Sequence, residues 1–208
     1  MTSWIVLQLA DSAFPTGGFA HSAGLEAHVQ AGELASVEVY AREYLDQLAL
    51  GSLPLVAAVH DDRARIAEVD ALARATLWNH VAARASRMQG RALLDVAARS
   101  FGVAKPTGIE AHLAPAFGYV TRSLGVDRDE ALATFLHLAL RGLLSAAVRL
   151  GCAGPNEAQQ LHHALHSALD AALARGRALT LADVGQPSPL AELIAGTHDR
   201  LYSRLFQS

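Results

Sequence analysis

Cysteine is nearly absent from this sequence, since Cys152 is the only one in 208 residues. A single thiol rules out an internal disulfide framework and any multi-cysteine zinc cluster within one chain, and it fits a reducing cytoplasm. Charge is sparse as well. Charged residues make up 18%, the formal net charge is -3 and the isoelectric point is about 6.3, so no global positive field exists to hold nucleic acid or an anionic membrane. The first ten residues have no basic n-region and their apolar run stops at Asp11, so no secretory signal is expected. No charge-free apolar run reaches the roughly 20 residues that a membrane-spanning helix needs. No stretch alternates with period two between turn signals, and no repeat of fixed period points to a solenoid.

Catalytic signatures are equally scarce. Pro15-Thr16-Gly17-Gly18 is not followed by Gly-Lys-Ser/Thr, so the loop that would cradle the phosphates of GTP is missing. His21 and Ser22, with Asp11 upstream, are the residue types of a nucleophilic site. A nucleophile elbow, however, needs G-x-S-x-G after a strand, Ala20 stands where its first glycine belongs, and adjacent helix positions do not face each other. An orphan helical hydrolase using His21 and Ser22 is the enzyme alternative. Of ten histidines, His162, His163 and His166 form the tightest group. His162 and His166 stand at i, i+4, a spacing that can hold zinc or nickel, but no Glu completes HExxH and no cysteine is near. A stand-alone histidine metal carrier is the second alternative. No catalytic residue, metal site or cofactor is assigned to the isolated chain.

What the sequence does contain is helix. Hydrophobic residues reach 51%, enough for a sizeable core, and the length favours one domain over 1–208. Ser36 is placed to cap a helix whose face carries Val37, Tyr40, Tyr44 and Leu48. Gly51 and Pro54 should bend or break it before the apolar run Leu55 to Val59, and His60-Asp61-Asp62-Arg63 reads as a surface turn. One long helix is expected from about Ile66 to Phe101, with Trp78, Val81, Ala85, Met88, Ala92 and Val96 as its apolar stripe and Gly102 at its end. Asp127 to Glu130 puts negative charge at the start of a helix that runs to Leu150. Its Leu132, Phe135, Leu136, Leu138, Leu140, Leu143, Leu144 and Val148 leave no wide polar face, so it belongs at the centre of a bundle. Asn156 is expected to cap a helix over 157–175, with Leu161, Leu165, Leu169 and Leu173 inward. A linker follows at 179–189, then a final helix from about Pro189 to at least Arg204.

The densest punctuation lies in Leu7 to Glu26, LQLADSAFPTGGFAHSAGLE. Pro15 fixes φ and Gly17-Gly18 permits conformations that a Cβ forbids, which reads as helix, tight turn, helix. The second helix should begin near Ala20 or His21. Gly24 would admit a close backbone approach, and Ser22, Leu25 and Glu26 would stand at an end that attracts an anion or an acceptor.

This stretch resembles the opening of the urease accessory protein F family, whose members help load nickel into urease. Tyr202-Ser203-Arg204-Leu205-Phe206 resembles the family's terminal box, and Ser86-Arg87-Met88-Gln89-Gly90-Arg91 is similar to its Ser-Arg-x-x-Gly-Arg element. His112 to Gly118 resembles a His-x-Pro-x-x-x-Gly passage with one residue more between His and Pro, and 145–150 also match. Two departures are Gly151 to Asn156, where the family shows Pro-x-Gly-Gln, and Gln207, where it has arginine.

The helical pattern itself reads as an all-α, single-domain bundle of roughly eight to ten helices around the 127–150 helix, and the resemblance adds segments 1–26 and 190–208 as partner-binding elements. It implies a non-enzymatic cytoplasmic scaffold, forming a homodimer, that binds accessory protein D (also called H). The scaffold recruits and regulates the GTPase accessory protein G and reaches the urease apoprotein through that complex. Expected partner-binding residues are Pro15, His21, Ser22, Gly24, Leu25, Glu26, Arg84, Arg87, Arg91, Tyr202, Ser203, Arg204, Leu205 and Phe206. Taken alone, the stripe His80, Arg84, Arg87 and Arg91 reads either as a solvated face or as a strip for an acidic partner, because guanidinium pairs bidentately with carboxylates. His112 reads either as part of a helix cap or as a partner-facing group, and the tail either docks on its own core or on another protein.

Overall fold

The computed structural model describes residues 4–208, so the first three residues of the 1–26 segment lie outside the described residues. Eleven α-helices and four short 3-10 turns carry the described chain, and no strand occurs among these residues. The helices are α1 (Trp4–Leu9), α2 (Leu25–Ala31), α3 (Val37–Gly51), α4 (Leu53–Asp61), α5 (Ile66–Thr76) and α6 (His80–Phe101). Then come α7 (Leu113–Ser123), α8 (Arg128–Arg149), α9 (Pro155–Ala164), α10 (His166–Ala178) and α11 (Pro189–Ala195). The all-α expectation is met.

Helix α8 is the hub, packing against α1, α2, α3, α4, α7, α9 and α10. Its start follows from Asp127, whose carboxylate accepts from Asp129 N at 2.9 Å and Glu130 N at 3.4 Å, satisfying amides that helix geometry leaves free. Leu132, Leu136, Leu140, Leu143 and Leu144 are buried along it, and Phe135 meets Phe117 of α7 edge to face. By length and composition α8 could cross a membrane, but more than half of its most apolar window is covered by other helices, as suits the core of a bundle. Ser36 caps α3 as expected, its Oγ accepting from Val39 N at 3.1 Å.

Four expectations about boundaries need correction. The long helix over 66–101 is two helices, because the Asn79 side chain accepts from Val81 N and Ala82 N and starts α6 afresh. Trp78 falls in the break and is 50% exposed, Met88 is exposed, and the buried face of α6 is Val81, Ala85, Leu93, Leu94 and Ala97. The helix over 157–175 begins two residues earlier at Pro155, with the Glu157 carboxylate accepting from Gly154 N at 3.1 Å, and it breaks at Leu165. His60 and Asp61 finish α4 instead of forming a surface turn, and the buried His60 ring meets Val126 O through Nε2 at 2.9 Å. Finally, α11 stops at Ala195, and past a short turn at His198–Arg200 the chain continues through bends without helix. A helix there would consume the very amides that the tail directs at Glu26.

Candidate partner-docking site

The two terminal segments build one surface, and Glu26 is its pin. Its buried carboxylate accepts from Leu205 N at 2.6 Å and Phe206 N at 3.2 Å, and lies 2.9 Å from Nε2 of the fully buried His198. A carboxylate is tolerated at such depth only when hydrogen bonds replace its lost water. Nearby, Ser208 O accepts from Ser22 N at 2.6 Å and from Ser22 Oγ at 3.1 Å, while Ser208 Oγ lies 2.6 Å from His21 Nδ1. Burial first, then the positive charge of Arg84, lowers the pKa of His21. Gln207 N donates to Ala20 O, and the Gln30 side chain donates to Ser203 O.

The opening stretch can receive the tail because it is not one continuous helix. It forms a short turn at Gly18–Ala20 and then α2 only from Leu25, not from Ala20 or His21 as expected. Ala23 and Gly24 both take left-handed backbone angles, with φ of 53° and 83°, and these positions interrupt the helix. At Gly24 a Cβ would sit 2.8 Å from both the Tyr40 hydroxyl and the Ala195 side chain, so the close approach expected there is present. No helix begins at Ser22, which is buried, and the acceptor that its N–H and hydroxyl meet is the chain's own Ser208.

Seen from outside, the surface is apolar with a cationic edge. Phe19 is 66% exposed, Leu205 52% and Tyr202 fully so, with Trp4 and Leu7 also exposed on α1. The Arg149 guanidinium lies 4.4 Å from the Phe19 ring centre and 4.2 Å from that of the buried Phe206, holding one ring from each segment by cation–π attraction. An open depression beside it is lined by Arg84, Asp199, Arg204, Phe206 and Gln207.

The expected site residues therefore fall into three sets. Pro15, Tyr202, Ser203, Arg204 and Leu205 are exposed. His21, Ser22, Gly24, Leu25, Glu26 and Phe206 are buried and hold the surface together from beneath. The arginines form the third set, and each meets a group of its own chain. Arg84 pairs with Asp199, which His80 and Arg204 also approach, at 3.2 and 3.5 Å. Arg87 lies 3.6 Å from Glu110, and Arg91 Nε donates to Glu110 O. His112 is wholly buried, its own N–H donating to Asp70, which overturns the partner-facing reading.

Sequence reasoning missed Asp199, Phe19 and Arg149. An aromatic and an arginine 130 residues apart give no local signal of stacking. The hydrolase alternative also gains no geometry, because Ser22 and His21 are each engaged with Ser208 and not with each other. A cavity of about 780 Å³ runs beneath residues 12–19, but its lining is mainly apolar. No group of three His, Cys, Asp or Glu side chains among the described residues is already arranged to hold a metal ion.

Comparison with known proteins finds relatives along nearly the whole chain. The UreF family model matches residues 33–166. Urease accessory protein F of Arabidopsis thaliana is 35% identical over 99% of this chain and 92% of its own length. The protein of the same name from Oryza sativa subsp. indica is 33% identical over 98% of the chain and 84% of its length. Urease accessory protein UreF of Arthrobacter sp. (strain FB24) is 33% identical over 97% and 95%. The family model covers the helical middle, whereas the relatives extend over nearly the whole chain.

Proposed function

Because the chain belongs to the UreF family of urease accessory proteins, and so to urease maturation, we propose that it is a non-enzymatic scaffold for nickel insertion into urease. Its first partner is accessory protein D (also called H), which docks on the surface made by the opening stretch and the tail. That complex recruits the GTPase accessory protein G, couples GTP hydrolysis to nickel transfer, and delivers the metal to the urease apoprotein. The scaffold works as a homodimer in the cytoplasm.

One observation carries the reading. Internal hydrogen bonds fix the path of the tail, while Tyr202, Leu205 and Phe19 each stay more than half exposed. Large apolar groups held outward on an ordered backbone are what a partner can bury at small entropic cost. The experiment is co-expression with accessory proteins D and G, comparing the intact chain with a Tyr202→Ala/Leu205→Ala variant and weighing the complexes by light scattering. The double variant should keep the thermal midpoint of the intact chain and lose accessory protein D. Retention of D by the folded variant would move the interface elsewhere, and an intact chain that holds neither partner would remove the scaffold reading.

A further inference from the structure

The ten histidines divide cleanly. His21, His28, His60, His80, His112 and His198 each have a ring nitrogen within hydrogen-bond distance of a carbonyl, hydroxyl or carboxylate. The other four, His137, His162, His163 and His166, have no such partner among the described residues, and they are neighbours of one another. Ring centres lie 5.3 Å apart for His137 and His162, 5.6 Å for His162 and His166, and 5.0 Å for His163 and His166, all edge to face. They come from α8, α9 and α10, with the kink at Leu165 between the last two. His137, contributed by the hub helix, is the member that the sequence grouping lacked.

We propose that His137, His162 and His166 form a binding site for a divalent first-row transition ion that favours imidazole, of the Zn²⁺, Ni²⁺ or Cu²⁺ class, with water completing the shell. Two imidazoles on one tetrahedral ion with bonds of about 2.0–2.1 Å have ring centres roughly 5 Å apart. The spacings of His162 from His137 and from His166, 5.3 and 5.6 Å, are close to that figure. What is missing is aim, because the rings stand edge to face and no three ligand atoms yet converge. Turning an imidazole about its broad terminal torsion corrects this without moving the backbone. His162 and His166 supply the i, i+4 pair and His137 the third ligand from the facing helix, while His163 lies beyond His166. Arg141 lies close enough to His137 to oppose a cation, but its guanidinium is drawn off to Ala10 O.

The site is separate from the docking surface, since His137 stands about 18 Å along α8 from Arg149 at 1.5 Å per residue. It does not depend on the scaffold reading.

The test is calorimetric titration of the intact, chelator-treated chain with ZnCl₂, NiCl₂ and CuCl₂ in turn, followed by X-ray absorption of the loaded protein. One ion per chain is expected, with three nitrogen ligands of imidazole type. His137→Ala, His162→Ala and His166→Ala should each weaken binding by at least tenfold, since even outer-shell losses cost about 10–100-fold. Ser167→Ala, the adjacent exposed position, should leave it unchanged. His162→Gln keeps the side-chain bulk and guards against a folding artefact. Absence of saturable binding would overturn the proposal, as would His137→Ala and His162→Ala variants that bind as tightly as the intact chain.

Discussion

The guanidinium of Arg84 grips the carboxylate of Asp199 through two N–H···O bonds of 2.9 and 2.7 Å. With His80 beside the same group, the pKa of Asp199 falls from an ordinary 3.8 to about 2. A carboxylate whose pKa is depressed by folding contributes stability above its unfolded value and loses it as the pH drops through its folded value. Asp199→Asn should therefore be less stable than the parent at pH 6 by about 0.5–1 kcal/mol, as expected for a partly exposed pair. The difference should shrink as the pH falls from 3.8 toward about 2. Chemical denaturation at pH 6, 4 and 2.5 measures both parts.

Glu26→Gln tests the pin. The amide keeps one acceptor oxygen and turns an NH₂ toward groups that are themselves donors, so at least one of the Leu205, Phe206 and His198 contacts is lost. Leaving buried donors unpaired costs about 1–3 kcal/mol each. The variant should be destabilised by about 2–4 kcal/mol, and hydrogen exchange should rise at Leu205 and Phe206 before it rises in α8.

Gly90→Ala tests the motif glycine in α6. A Cβ there would lie 2.0 Å from Ala111 O, a main-chain atom that cannot yield by changing rotamer. Overpacking of this kind should cost about 3 kcal/mol or more, and a thermal melt should show a midpoint lower by about 6–12 °C for a chain of this size.

Removing residues 202–208 is not a clean probe of partner binding. The truncation takes away Phe206 from the core and the donors from Glu26. Exposing a Phe pocket alone costs about 1.5–3 kcal/mol. The truncated chain should fold with a clearly lowered midpoint, whereas Tyr202→Ala should leave the midpoint within a degree or two, because that side chain is fully exposed.

The parts of this molecule that were legible in its sequence are those governed by neighbours in the chain. The apolar run of α8, its acidic start at Asp127, the cap at Ser36 and the tight approach at Gly24 all follow from local chemistry. Asn79 was hidden inside an apolar periodicity that continues across it, so one cap divided an expected helix in two. Asp199 as the counter-ion of Arg84, and Arg149 between Phe19 and Phe206, depend on segments that meet only after folding. The helix expected over 189–204 failed for the same reason, since the need of Glu26 for main-chain donors outweighs local propensity. His112 reads either as part of a helix cap or as a partner-facing group, and the cap prevails, since it stands at the N-cap of α7 where Asp70 and Ser86 draw it inside.

The Glu26 pin also sets a schedule. Leu205 follows Glu26 by 179 residues, and at about 5–20 residues per second of synthesis the delay is roughly 10 to 35 s. Throughout that interval the carboxylate has no main-chain donors and must stay hydrated, which holds the opening stretch away from its final place against α8. Arrival of Leu205 and Phe206 ends the wait, because only then can the charge leave water without penalty. A nascent chain halted before them keeps a wet acid at the heart of this surface, so the surface matures only once residues 205 and 206 are in place and not piece by piece.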